Sequence, residues 1–181
     1  MFILSLSFSV LAQASSADVS VCFTPRQECE SQLLSLIYSA KQSIRMQSYS
    51  FTLYKVAHAL VVMKQRGVDV QVIMDKSQFQ CGQFSQASYL MQNGIPVYDD
   101  DQLNIAHSKI IIVDGVRVET GSFNYTSSAE HYNAENLVFI DSADIASQYL
   151  DNWQWRQQQS SLATVKCQVV SSNWLHRGGL F

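Results

Sequence analysis

The stretch Ile105-Ala106-His107-Ser108-Lys109-Ile110-Ile111-Ile112-Val113-Asp114-Gly115-Val116-Arg117-Val118-Glu119-Thr120-Gly121-Ser122-Phe123-Asn124, followed by Glu135, decides how the rest of the chain is read. Its spacing is H-x-K-x4-D-x6-G-S-x-N. Ile110 to Val113 is an unbroken apolar run, the pattern of a buried strand. His107 and Lys109 stand two apart, so on extended backbone they share a face. Asp114-Gly115 favours a two-residue hairpin turn, with Val116 to Thr120 as the returning strand. Gly121-Ser122-Phe123-Asn124 then brings a hydroxyl and an amide back towards the start of the segment. An imidazole, a cation, small polar groups and the carboxylates of Asp114 and Glu135 thus gather on an apolar scaffold.

Working outward, 181 residues suit a single domain with a sizeable core. The balance of 47% apolar and 15% charged residues is that of a soluble globular protein. A net charge of -3 argues against tight, nonspecific coating of nucleic acid, which needs a basic footprint. It does not argue against a nuclease, which needs a positive site rather than a positive surface. Phe2 to Ala14 carries no charge, is short for a membrane span, and ends in the small-x-small pattern Ala12-Gln13-Ala14. Residues 1–14 are therefore expected to be an export signal, with a retained anchor as the alternative. Residues 15–181 are then one domain with a C-terminal extension from about 160, located in the periplasm or secreted. Four cysteines behind an export signal allow up to two disulfides in three pairings. Cys22 with Cys29 is preferred because it closes a short loop, leaving Cys81 with Cys167; free buried thiols are the alternative. The spacing holds no C-x-x-C and no clustered histidines, so no metal site is expected.

Along the chain, Val19–Phe23 reads as a strand, Glu28–Lys41 as an amphipathic helix and Ser43–Phe51 as a strand. Leu53–Arg66 is a helix stopped by Gly67, Asp69–Met74 a strand, and Gln78–Gln86 a polar loop or lid. Ala87–Asn93 is a short helix and Ile95–Tyr98 a strand. After the central segment come a strand at Asn136–Ile140, a helix at Ala143–Gln159, and a further strand at Val165–Val170. Alternation of strands and helices in the first half predicts an α/β fold with a mostly parallel central sheet, which the Asp114-Gly115 hairpin makes mixed.

For a phosphodiester substrate, hydrolysis needs charge stabilisation on the non-bridging oxygens, an in-line nucleophile and an acid for the departing oxygen. Lys109 and Asn124 are suited to bind the phosphate, with Ser122 as a further donor. A neutral imidazole at His107 can attack phosphorus to form a phosphohistidine, and Glu135 can accept from its other ring nitrogen and fix the tautomer. In-line attack puts nucleophile and leaving group on opposite sides of phosphorus, so one imidazole cannot serve both. The motif occurs once. A two-fold homodimer with its axis through the site supplies the second His107 and Lys109.

His107-x-Lys109-x4-Asp114-x6-Gly121-Ser122-x-Asn124 resembles the HKD signature of the phospholipase D superfamily. Arg45-Met46-Gln47-Ser48-Tyr49-Ser50-Phe51-Thr52 and Lys64-Gln65-Arg66-Gly67-Val68-Asp69-Val70 further resemble the small, single-motif bacterial endonucleases of the Nuc type. The resemblance spans roughly Val21 to Trp155. It implies an α/β/α sandwich, an obligate dimer and cleavage of DNA, with RNA as a further candidate, through a phosphohistidine without metal or other cofactor. It also implies His107 as nucleophile or, on the partner, acid; Lys109 and Asn124 as phosphate ligands; Glu135 orienting histidine; and Asp114 in a supporting catalytic role. The four cysteines, the acidic balance and the C-terminal extension depart from that pattern.

Asp-Gly is also ordinary turn chemistry, so Asp114 reads equally as a turn former, and Ser122 as a residue satisfying backbone in a tight turn. His58 lies in an apolar helix and reads as packing; His131 reads as surface loop and His176 has no evident partner. Trp153 and Trp155 read as core and helix cap. A phospholipase acting on phosphatidyl lipids is the alternative function, and a non-enzymatic nucleic-acid-binding module a third.

Overall fold

A computed structural model describes residues 17–80 and 84–164. In chain order the elements are β1 (Asp18–Phe23), α1 (Cys29–Tyr38), β2 (Ser43–Ser48), α2 (Tyr54–Gln65), β3 (Asp69–Asp75), α3 (Ala87–Gln92), β4 (Val97–Asp100), β5 (Lys109–Val113), β6 (Arg117–Gly121), α4 (Ser127–His131), β7 (Asn136–Asp141), α5 (Ala143–Gln159) and β8 (Ser161–Leu162). The eight strands form one sheet in the order β1-β7-β6-β5-β2-β3-β4-β8. Alternation along β2, β3 and β5 sends side chains to two cores. Ile44, Met46, Val70, Val72, Ile111 and Val113 pack with α1 and α2 on one face. Ile73, Ile110, Ile112 and Val118 meet Ala146 and Trp153 of α5 on the other. The result is the expected α/β/α sandwich with a mixed sheet.

The balance within the sheet differs from expectation. Only the β2–β3 and β3–β4 pairs are parallel; the other neighbouring strands run antiparallel. Helical crossovers carry the chain as far as β4; the Asp114-Gly115 hairpin then turns β5 back into β6, and the longer connections through α4 and α5 bring β7 and β8 in antiparallel to β6 and β4. The hairpin itself is one residue longer than read: Val113 pairs with Arg117, and β6 runs to Gly121. Asp114 (φ 54) and Gly115 (φ 65) both take left-handed backbone, which glycine tolerates and aspartate tolerates better than most residues.

Helix α5 is held by more than apolar contact. Trp153 Nε1 donates to the Met46 carbonyl at 2.9 Å. The buried Arg156 guanidinium grips both carboxylate oxygens of buried Asp100 at the end of β4. Cys22 and Cys29 form the predicted disulfide. Cys81, Cys167, His176, residues 1–14 and Val165–Val170 lie outside the described residues. Three short elements escaped the sequence reading: a 3-10 turn at Lys76–Phe79 after β3, α4, capped by the Thr126 hydroxyl, and β8, which pairs with β4.

Candidate active site

At one edge of the sheet the carboxyl ends of β2, β3 and β4 meet the amino end of β5, the place where open α/β sheets collect ligands. Ser48, the last residue of β2, pairs with Lys109, the first of β5. Asp75, buried at the end of β3, accepts from the Ala106 amide at 2.7 Å. The loop carrying His107 is therefore moored one residue before the imidazole. Lys76 reinforces it by donating to the Leu103 carbonyl at 2.8 Å.

His107 is exposed and Lys109 is buried. Lys109 Nζ lies 3.1 Å from Nδ1 of His107 and donates to the His107 carbonyl at 2.7 Å. Tyr49 closes the arrangement: its ring centre is 4.5 Å from that of His107 and 5.4 Å from Lys109 Nζ. Burial lowers the pKa of Lys109, and the negative charge of Glu135 opposes that shift. A cation held in a partly desolvated site attracts an anion 4 Å away by about 4 kcal/mol at an effective dielectric of ~20, against about 1 kcal/mol in bulk water. A small anion reaching the cleft would thus be attracted to Lys109 more strongly than to an ammonium in bulk water.

The remaining motif residues divide. The Ser122 hydroxyl donates to Glu135 Oε2 at 2.5 Å and accepts from the Asn136 amide at 3.1 Å. Its proton is committed to the carboxylate, and the second carboxylate oxygen of Glu135 takes Asn133 Nδ2 at 3.0 Å. Glu135 therefore meets Ser122 and Asn133 rather than the imidazole. Asn124 is half-buried, and its Oδ1 is buried with no hydrogen-bond partner among the described residues.

Asp114 sits at the other end of β5, roughly 16 Å of strand from Lys109 at ~3.3 Å per residue. Its carboxylate accepts from the amides of Lys41, Gln42 and Ser43 at 2.9, 2.7 and 2.9 Å. Burial alone would raise its pKa, but these backbone donors outweigh that and hold it below the usual value. Of the two readings of Asp114, the turn-forming one describes these contacts, and the carboxylate is far from His107.

A cavity of about 490 Å³ is lined by His107, Lys109, Thr120, Ser122, Tyr149 and Asn152 among others. A second, of about 540 Å³, shares His107 and Asn152 and continues to Gln47, Leu103, Ile105 and Trp155. Asn124 and Glu135 line neither. Tyr49, Asp75, Asn152 and Trp155 were not singled out as site residues by the sequence. Asp75 carried one usable signal, a carboxylate closing a parallel strand; Asn152 carried none, being one polar residue on a polar helix face. Trp153 is core as read, but Trp155, read as a helix cap, is 55% exposed beside His107. His58 is exposed, its ring stacked on that of Tyr54 at 5.7 Å between centres, with Nδ1 3.2 Å from the Tyr89 hydroxyl. His131 is exposed at the end of α4. Among the described residues, no three His, Cys, Asp or Glu side chains cluster as metal ligands.

A family model described as cardiolipin synthase, PLD-like domain, matches residues 33–156. A Rickettsia prowazekii protein named phospholipase D is 37% identical over 156 residues, covering 86% of this chain and 76% of that protein. The mitochondrial cardiolipin hydrolase of Mus musculus is 31% identical over 134 residues, 74% of this chain and 60% of its own. The crystal structure of Nuc from Salmonella typhimurium, a phospholipase D family member, superposes with a TM-score of 0.77 at 42% identity, covering 82% of this chain and 99% of that one.

Proposed function

From a chain that belongs to the phospholipase D superfamily, a family of phosphodiester hydrolases, and is of the single-motif Nuc type, we propose an exported, homodimeric endonuclease. It cleaves DNA, with RNA as a further candidate substrate, through a phosphohistidine and without metal. The observation that carries this reading is the placement of Lys109 Nζ 3.1 Å from the His107 ring in a cleft open to solvent. A nucleophile and a fixed cation converge there on one small anionic group.

In the proposed reaction Lys109 and Asn124 hold the non-bridging oxygens, and a ring nitrogen of His107 attacks phosphorus. The bond to the leaving oxygen breaks as a second His107, from the other copy of the chain, gives that oxygen a proton. Water then attacks the phosphohistidine, losing a proton to that second imidazole, and the histidine–phosphorus bond breaks. Ser122 and Glu135 act as a pair at the edge of the cleft. A two-fold axis beside His107 is required because in-line displacement needs an acid opposite the nucleophile. The charge-free segment 1–14 and the disulfide support export to the periplasm or the medium.

Plasmid DNA should be cut in the presence of a chelator, and His107→Ala or Lys109→Ala should lower the rate at least about a hundredfold, the size of loss typical for a removed acid–base group. Activity that appears only on adding magnesium would sink the proposal. A second reading, hydrolysis of phosphatidyl lipids, draws on the exposed apolar rim of Leu103, Ile105 and Trp155 on one side of His107. Headgroup release from phosphatidylglycerol or cardiolipin vesicles, measured beside the nuclease rate, decides between the two.

A further inference from the structure

The β1–β7 register pairs Phe23 with Asn136, so the next residue, Thr24, falls opposite Glu135. The ladder cannot continue normally, because Pro25 follows and has no amide proton to offer. Thr24 finishes it with its side chain. Its amide donates to the Glu135 carbonyl at 3.1 Å. Its hydroxyl donates to the Asn133 carbonyl at 3.1 Å and accepts from the Glu135 amide at 3.2 Å. One residue, 5% exposed, thereby satisfies three backbone groups of the Asn133–Glu135 segment.

The other side of that segment is the site. The Glu135 carboxylate takes the Ser122 hydroxyl and the Asn133 amide, and its charge acts on Lys109. Glu135 is thus clasped between Thr24 on its backbone and Ser122 on its side chain. Thr24 is itself anchored independently of the cleft. It lies inside the loop closed by Cys22 and Cys29, which ties the end of β1 to the first residue of α1. The Glu130 carboxylate, on the neighbouring α4, accepts from the Glu30 amide at 3.0 Å and fastens the same helix end from the other side.

We propose that Thr24 is a positioning residue for the reaction: its hydroxyl sets the backbone of Asn133–Glu135 so that the Glu135 carboxylate meets Ser122 and faces Lys109. The inference rests on the reading of Glu135 as a site residue. Thr24→Val keeps the shape and removes the hydroxyl; Thr24→Ser keeps the hydroxyl and removes a methyl.

The substrate for the test is bis(p-nitrophenyl) phosphate, a diester with neither base nor acyl chain, so the outcome does not depend on which natural substrate is right. Thr24→Val should lower kcat about tenfold with KM within about twofold, and Thr24→Ser should restore kcat to within about twofold of wild type. In a Glu135→Ala background Thr24→Val should add no further loss, because residues acting through one group are non-additive. An equal loss from Thr24→Val with and without Glu135, or wild-type kcat in Thr24→Val while Glu135→Ala is impaired, overturns the inference. Wild-type kcat in Glu135→Ala overturns the reading of Glu135 and the inference with it. Should Thr24→Val not fold, Thr24→Ala answers the same comparison.

Discussion

Glu119 occupies the middle of β6 between Ile111 and Phe139, with no exposed surface. Burial pushes its carboxyl up to about 8, although the Tyr125 hydroxyl, donating at 2.9 Å, works against that shift. Its Oε1 has no hydrogen-bond partner among the described residues, which costs a neutral acid far less than a carboxylate. The native state therefore keeps a proton that the unfolded chain releases near 4.5. Between pH 4.5 and about 8 the folded state binds more protons, so this residue's contribution to stability falls as pH rises. Glu119→Gln should flatten that slope: urea midpoints of variant and wild type should differ little at pH 4.5, and the variant should gain by pH 8. Parallel pH profiles would contradict it. The sequence did not single out this residue. That His107 and Lys109 come together was legible in their two-residue spacing on extended backbone. Polar and apolar residues alternate in Arg117-Val118-Glu119-Thr120, and nothing there signals that both faces of the sheet are covered. For Glu135 the sequence named the imidazole as partner and the structure gives Ser122, a contact that depends on how β6 and β7 pair.

Among the elements, the β5–β6 hairpin does two jobs at its two ends. One end presents Lys109; the other uses Asp114 to fasten the turn entering β2 through three backbone donors. Hydrogen bonds to a charged acceptor contribute more than neutral ones, so Asp114→Ala should cost about 2 kcal/mol in total. For a domain of this size that lowers Tm by roughly 4–8 °C, while kcat of the folded enzyme stays within a few-fold of wild type. A native pKa below 3.8 means that this stabilisation is present at higher pH and disappears as pH falls through the lowered value. A kcat loss as large as that of His107→Ala, with Tm unchanged, would return Asp114 to the chemistry. Element types were largely readable: α5 spans Ala143–Gln159 as its apolar spacing predicts. Strand direction was not. Local pattern says where a strand lies, but parallel or antiparallel pairing is fixed by how the connections cross the sheet. Runs such as Ile110 to Val113 look alike in both.

For the molecule as a whole, the proposed two-fold site makes a quantitative demand. If each site needs His107 from both copies, mixing wild type with an equal amount of His107→Ala after subunit exchange leaves about a quarter of the total enzyme as intact dimers. Independent monomers would keep about half the activity. Sedimentation of the same mixtures checks the assembly, and a fully active monomer would refute the two-histidine scheme. Nothing in the linear pattern shows such an axis; only the count of chemical roles against the histidines available points to it.

The proposed nucleophile and the wall it faces belong to separate parts. His107 and Lys109 hang from the sheet edge by Asp75 and β5, while Tyr149, Asn152 and Trp155 ride on α5, latched to β4 through Arg156 and Asp100. Asn152 can therefore be exchanged without touching the sheet edge, whereas Trp155 lies against the latching Arg156 guanidinium at 5.1 Å and Tyr149 packs on the core beneath α5. Preference for a nucleotide or a lipid can drift on one helix while the bond-breaking apparatus stands still, so closely similar catalytic centres can serve different substrates.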